Sequence, residues 1–169
     1  MSISRTPDGG PRARARDGFT LIELVITVAI VAIVSTAILP LIQVTMQRAK
    51  EHELRTALRQ MREAIDAYKQ ATDEGRVAKR VNESGYPKSL EMLVAGVEDA
   101  KDPKKAKIYF IRRIPRDPMA TDSTLAALET WGKRSYASPP DEPKAGDDVF
   151  DVYSLSAGIG LNAVRYREW

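Results

Sequence analysis

Residues Gly18 to Ile42 read Gly-Phe-Thr-Leu-Ile-Glu-Leu-Val-Ile-Thr-Val-Ala-Ile-Val-Ala-Ile-Val-Ser-Thr-Ala-Ile-Leu-Pro-Leu-Ile. From Leu24 to Ile42 the stretch holds no charge. It matches the ~20 apolar residues that a helix needs to cross a bilayer. One carboxylate, Glu23, stands at its leading edge. An acid at the end of a membrane helix is costly unless paired or solvated, so it marks function by default. In the first turn it also lies favourably against the helix dipole. Pro40 falls inside the helical run. It removes one backbone bond and crowds the carbonyl of Thr36, which predicts a kink there.

Ahead of this stretch, residues 1–17 are rich in Arg, Gly and Pro. Such a segment cannot bury a core and is expected to be disordered. Its arginines are Arg5, Arg12, Arg14 and Arg16, against Asp8 and Asp17. Basic residues before a span favour the cytoplasmic side. The first cations beyond it are Arg48 and Lys50, so the orientation expected is leader inside and the bulk of the chain outside. The formal charge of +3 comes largely from this leader. The remainder balances within one charge, which argues against a general nucleic-acid footprint.

Three readings of the apolar run compete. A secretory signal peptide would be cut near Ser35-Thr36-Ala37, but that site is weakly formed and the run is long for an h-region. A plain signal anchor would simply be retained. The third reading rests on Gly18-Phe19-Thr20-Leu21-Ile22-Glu23. This hexapeptide resembles the processing motif of type IV pilins and of the pseudopilins of type II secretion systems. Glycine, aromatic and glutamate stand at the family spacing ahead of a charge-free run, and Pro40 falls where the family commonly has a proline. The resemblance implies that a prepilin peptidase cuts between Gly18 and Phe19 on the cytoplasmic side and methylates the new amino terminus of Phe19. It also implies that Glu23 of one subunit meets the amine of a neighbour as subunits assemble. The alternative for Glu23 is that it merely caps the helix start.

From Gln43 the chain becomes polar but keeps a helical period. Leu54, Leu58, Met61, Ile65 and Tyr68 recur at three- or four-residue steps, with Ala57 and Ala64 beside them. Glu51, Arg55, Arg59, Arg62, Glu63, Asp66 and Lys69 are assigned to the opposite face. Gly75 is the expected stop. The helix therefore runs from about Phe19 to about Glu74, and its second half needs a partner for the apolar stripe. His52, the sole histidine, is expected at the surface.

Residues 76–103 read as a connection, turn-rich through Asn82 to Pro87 and then helical at Ser89 to Ala95. Lys101 to Lys107 is a basic loop, after which Tyr109 and Phe110 are expected to pack inward. Strands are expected at Lys133–Ser138 and Val149–Leu155, with a last one at Val164–Glu168. The proline-rich stretch 139–148 joins the first two. Tyr86-Pro87, Ile114-Pro115-Arg116-Asp117-Pro118 and Trp131-Gly132 also resemble pseudopilin features. Met119 to Thr130 departs from that pattern as an insertion, with a helical turn or two expected in it.

The fold expected is α+β and pilin-like: a long N-terminal α-helix, membrane-spanning in its first half, packed against a small C-terminal antiparallel sheet. The segments are a leader (1–18), a transmembrane and assembly helix (19–42), its amphipathic continuation (43–75), a connecting region with a short helix (76–130) and a β region (131–169).

No phosphate loop, His-Glu-x-x-His or Gly-x-Ser-x-Gly occurs, and the chain has no cysteine. No catalytic residue and no enzyme activity are expected, and Gly158-Ile-Gly160 reads as a turn. Calcium is the one cofactor that the resemblance raises, in the loop after the last long strand. The sequence disfavours it. The loop from Ile159 to Asn162 lacks the aspartates that a calcium ion wants, and Arg165 and Arg167 stand close by. No metal ligands are assigned.

Most of the chain shares in the resemblance, which is greatest to the major (G-type) pseudopilins. It implies a single-pass protein of the bacterial inner membrane, cytoplasmic at its N-terminus and periplasmic at its C-terminal domain. Its partners would be copies of itself in a helical filament, other pseudopilins, the inner-membrane secretion platform and prepilin peptidase, with no nucleic acid. Two alternatives remain. One is a type IV pilin of a surface fibre, although pilins commonly carry a C-terminal disulfide. The other is a signal-anchored periplasmic module that does not polymerise.

Overall fold

The computed structural model describes residues 18–169; at 37–40 the backbone is helical and the side chains are not described. The expected disorder of the leader lies outside the described residues, and at Pro40, where a kink is expected, the backbone remains within one helix. The chain divides into two units, one ending at Ile42 and the other running Gln43–Trp169.

Thr20 starts the long helix α1 (Leu21–Asp73). Its carbonyl accepts the Leu24 N–H at 3.2 Å, and its hydroxyl accepts the Glu23 N–H at 3.3 Å. This is the N-cap role that a short β-branched hydroxyl residue fills well. In the first unit every described side chain is exposed, including Leu24, Val28 and Val31. The polar side chains within the apolar run satisfy themselves. Thr27, Ser35 and Thr36 donate to the carbonyls of Leu24, Val31 and Ile33 at 2.9, 2.7 and 2.7 Å.

In the second unit the same helix buries a stripe. Leu54, Met61 and Ile65 are fully buried, and Ala57, Leu58, Ala64 and Tyr68 nearly so. His52 is exposed. α1 ends at Gly75, whose φ of 72° suits a residue without a side chain. The Gly75 and Arg76 N–H groups close the last turn on the carbonyls of Thr72 and Ala71 at 2.9 and 2.8 Å. α2 (Glu91–Ala95) adds Leu93 to the core, with Leu90 just before it.

Both expected strands are shorter, and the one expected at Lys133–Ser138 begins two residues earlier, at Trp131, and ends at Arg134. β3 (Trp131–Arg134) pairs antiparallel with β4 (Asp151–Ser154), with Trp131 opposite Ser154. Along β4, Val152 and Ser154 point inward, in the alternation the sequence suggests. Gly132 lies under the Tyr153 ring, where a Cβ would come within 2.3 Å of a ring carbon. A second pair, β1 (Val97–Glu98) with β2 (Lys107–Ile108), was not expected. It closes the basic loop Lys101–Lys107 into a hairpin. Asp102 shapes that hairpin by accepting the N–H groups of Lys104 and Ala106 at 2.9 and 3.2 Å.

The expected strand at Val164–Glu168 is instead a 3-10 turn (Tyr166–Glu168), preceded by a single bridge between Ile159 and Arg165. Tyr166 must turn inward to reach α1, and that leaves too few extended residues for a ladder. Tyr109 is another correction. It is 63% exposed, lying over Gly96, while Phe110 alone turns inward against Tyr68 at 5.1 Å between rings. The insertion 119–130 holds one 3-10 turn (Ala127–Thr130). Tyr86, Tyr136 and Phe150 form a mutual ring cluster at 5.0 to 5.6 Å, and Pro87 accepts the Val149 N–H at 2.8 Å.

Candidate functional site

The first candidate is the start of α1. Gly18 and Phe19 precede the helix in exposed chain without regular structure, and a Cβ at Gly18 would meet nothing described within 4 Å. Phe19 is 85% exposed. Glu23 sits in the first turn. Thr20, not Glu23, performs the capping, so the carboxylate is left free of that duty. Among the described residues it makes no hydrogen bond or ion pair. The result is an accessible dipeptide followed, one helical turn on, by an uncommitted acid at the positive end of a helix dipole.

The second candidate is the loop after β4. It is held to α1 by a buried acid that the sequence pattern alone places on the solvent face. Glu51 is 4% exposed. Its Oε1 accepts from the Leu161 N–H at 2.8 Å, the Tyr166 hydroxyl at 3.1 Å and the Gln47 side-chain amide at 3.2 Å. Arg55 stands 3.9 Å from the other oxygen. Burial pushes the Tyr166 hydroxyl pKa up. The missed signal was the period itself. Position 51 precedes 54 and 58 by three and seven residues, so it belongs to the apolar stripe rather than opposite it.

The loop's oxygens are already in use. Ser154 and Ser156 hydroxyls accept the Ser156 and Gly158 N–H groups, and Asn162 accepts the Val164 N–H. Gly158, Gly160 and Val164 carbonyls accept from Tyr166, Ala163 and Gly160. Among the described residues no three His, Cys, Asp or Glu side chains gather as a metal would need. This donor set does not fit a calcium ion, which takes six to eight oxygens and favours carboxylates.

A second buried acid organises the Pro115–Pro118 segment. Asp117 is 1% exposed. Its carboxylate accepts from the Ser154 hydroxyl at 2.6 Å and the Met119 N–H at 2.8 Å. Its own N–H donates to the Thr130 hydroxyl at 3.1 Å. Next to it, the Trp131 indole donates to the Pro115 carbonyl at 2.7 Å. The insertion thus leaves and returns at a polar knot, and Arg116 ties down its middle by donating to the carbonyls of Leu125 and Asp122.

A family model described as the prokaryotic N-terminal methylation motif matches residues 13–39. The type II secretion system core protein G of Klebsiella michiganensis is 25% identical over 150 residues, covering 86% of this chain and 98% of that protein. The protein of the same name from Vibrio cholerae is 25% identical over 149 residues, covering 86% of this chain and 84% of its own length. That from Dickeya chrysanthemi is 24% identical over 142 residues, covering 80% and 86%. No solved structure gives a significant match. The methylation motif thus stands at the head of an apolar helix, and along most of its length the chain is similar to type II secretion system core proteins G.

Proposed function

We propose that this chain is a structural subunit, not an enzyme, that polymerises into the periplasmic pseudopilus of a type II secretion system and so supports protein export across the outer membrane. One observation carries the reading. The head buries a full core of its own, while the apolar first half of α1 leaves every described side chain exposed. A segment of that composition needs lipid or other helices around it.

On this reading residues 1–18 are a leader removed by prepilin peptidase between Gly18 and Phe19, and Phe19 becomes N-methylated. Residues 19–42 cross the inner membrane once, with the leader in the cytoplasm and the head in the periplasm. Glu23 then serves assembly by meeting the amine of a neighbouring subunit, and Pro40 loosens the helix for packing. The partners are copies of this chain, other pseudopilins and the inner-membrane secretion platform. The head works without calcium, its C-terminal loop being held by Glu51.

Two measurements test this. Mass spectrometry of the mature chain should find N-methyl-Phe at residue 19; an intact leader would instead favour a signal-anchored module. Glu23→Ala should be processed and inserted yet fail to grow filaments or secrete, and normal secretion by that variant would sink the assembly role. A calcium-dependent rise in the melting temperature of the head would overturn the metal-free reading.

A further inference from the structure

A cleft on the head lies between the turn at 78–88 and the loop at 135–148, and Tyr68 and Thr72 of α1 also line it. It encloses about 1000 Å³, the upper end of what small-molecule sites span. Its two walls are tied together. The Asp148 carboxylate accepts from the Ser84 hydroxyl on one wall and, at 2.8 Å, from the Tyr136 N–H on the other. The Val149 N–H donates across to the Pro87 carbonyl at 2.8 Å. The cleft is therefore formed before anything enters it.

Two features of its lining point to a ligand. The first is Ser135, which is 8% exposed. Its hydroxyl makes no hydrogen bond among the described residues, yet none of their fully enclosed side-chain polar atoms goes unpaired. The hydroxyl therefore opens onto the cleft that the residue lines. Gly146 keeps it open, since a Cβ there would stand 2.8 Å from Ser135 Oγ and cap it. A group this buried ordinarily has a partner, and here the chain supplies none. The second feature is Tyr136. Its ring is 63% exposed, yet it is held in place, stacked on Tyr86 at 5.6 Å with the edge of Phe150 also at 5.6 Å. An aromatic face that is both open and fixed gives up little freedom when a ligand lies on it.

The charges and donors of the lining narrow the ligand's chemistry. Lys79, Arg80 and Lys88 balance the carboxylates Glu83, Asp147 and Asp148. An anionic ligand would meet the acids and a cationic one the bases, so the balance suits a neutral molecule. The Ser135, Tyr86 and Tyr136 hydroxyls and the Asn82 amide each donate and accept, and none is hydrogen-bonded among the described residues. A purely apolar ligand would strand them. A sugar ring meets every one of these conditions. Its C–H face lies well against the negative face of an aromatic ring, and each of its hydroxyls both donates and accepts.

We infer that this cleft binds a neutral sugar chain, with one ring stacked on Tyr136 and a hydroxyl bonded to Ser135. Such a site serves the head whether or not subunits polymerise. Full-length chain is solubilised in a polyoxyethylene detergent, which carries no sugar headgroup, and titrated calorimetrically with cellotetraose and with its N-acetylglucosamine counterpart, chitotetraose. Saturable binding of either is expected, and the tighter one says whether the chain recognised is a plain glucan or an amino-sugar polymer. Ser135→Ala removes a hydroxyl that bonds nothing in the protein. It should leave the unfolding midpoint unchanged and weaken sugar binding by about fivefold. Tyr136→Ala should weaken binding by about tenfold; if that variant does not fold, Ser135→Ala decides by itself. Binding of neither sugar overturns the site. So does sugar binding that Ser135→Ala leaves at the parent's level, because the sugar then sits elsewhere. Capture of a synthetic peptide of residues 137–145 in place of the sugars also overturns it, the occupant then being the proline-rich loop of a second copy.

Discussion

One helix assignment, α1, contains two stretches built on opposite rules. Leu21 to Ile42 is apolar nearly all round, and its described side chains are exposed. Gln43 to Asp73 is amphipathic and buries one face from Leu54 to Ala71. Intrinsic helix preference does not separate them, for both are helical throughout. What separates them is the distribution of polarity around the axis, which sets what each must be wrapped in. The first depends on surroundings outside its own chain, and the second carries its surroundings with it.

The largest test breaks or keeps that division. Ile65→Ala, in the buried stripe, should cost the head about 2–5 kcal/mol through lost burial and a residual cavity. Val28→Ala, in the exposed run, should leave urea unfolding of the head unchanged in the detergent-solubilised protein. A comparable loss from Val28→Ala would show that the two stretches are not energetically separate. Next comes Asp117→Ala, which strands the Ser154 hydroxyl and the Met119 N–H in the interior. It should cost about 2–3 kcal/mol, in the upper range for a lost hydrogen-bonded charge. Midpoints unchanged from the parent would mean that the knot contributes nothing.

Glu51→Ala is expected to cost less, about 1–2 kcal/mol, because its site lies nearer the edge of the head and water can replace part of the network. Hydrogen exchange should show the Leu161 amide losing protection before the core does. Uniform loss across the head would instead make Glu51 a general core residue rather than a latch for one loop.

The smallest effect is a pH dependence. The Arg76 guanidinium donates to Asp99 at 2.8 and 2.9 Å, and the Lys101 N–H donates to its other oxygen at 3.0 Å. Arg76 first, then that backbone donor, holds the Asp99 carboxyl below the usual carboxylate range. The unfolded chain then takes up this proton more readily than the folded one. The contribution is complete above the ordinary value of about pH 4 and is lost as pH falls through the lowered one. Asp99→Asn should flatten the acid limb of a stability–pH curve for the head and leave the limb above pH 5 parallel to the parent's.

Long-period features were legible in the sequence because they repeat. The stripe from Leu54 to Tyr68, the stop at Gly75 and the charge-free run each draw on many residues for one signal. Glu51 lies on that same period, and its charge alone points to the solvent face, where the structure does not place it. Once Tyr166 and the Leu161 N–H supply partners, a carboxylate on the apolar line becomes affordable. The two-residue strands β1 and β2 could not be foreseen, since nothing in Val97-Glu98 or Lys107-Ile108 distinguishes a strand from a loop. Likewise the Val164–Glu168 segment looks strand-like by composition. Its fate was decided by the distant pull of Glu51 on Tyr166, 115 positions away in sequence. At the candidate processing site the motif itself was readable, whereas the division of labour between Thr20 as cap and Glu23 as free acid required coordinates.

The hydroxyls of Thr27, Ser35 and Thr36 each donate into their own helix. Pulled along its axis, such a segment meets hydrophobic drag but no polar latch, since no hydroxyl has to surrender one partner and find another. Glu23 is the exception, an acid in the first turn whose carboxylate makes no hydrogen bond or ion pair among the described residues. If Glu23 meets a neighbour's amine as proposed, a helix made this way slides freely and catches at one point, as a ratchet pawl does.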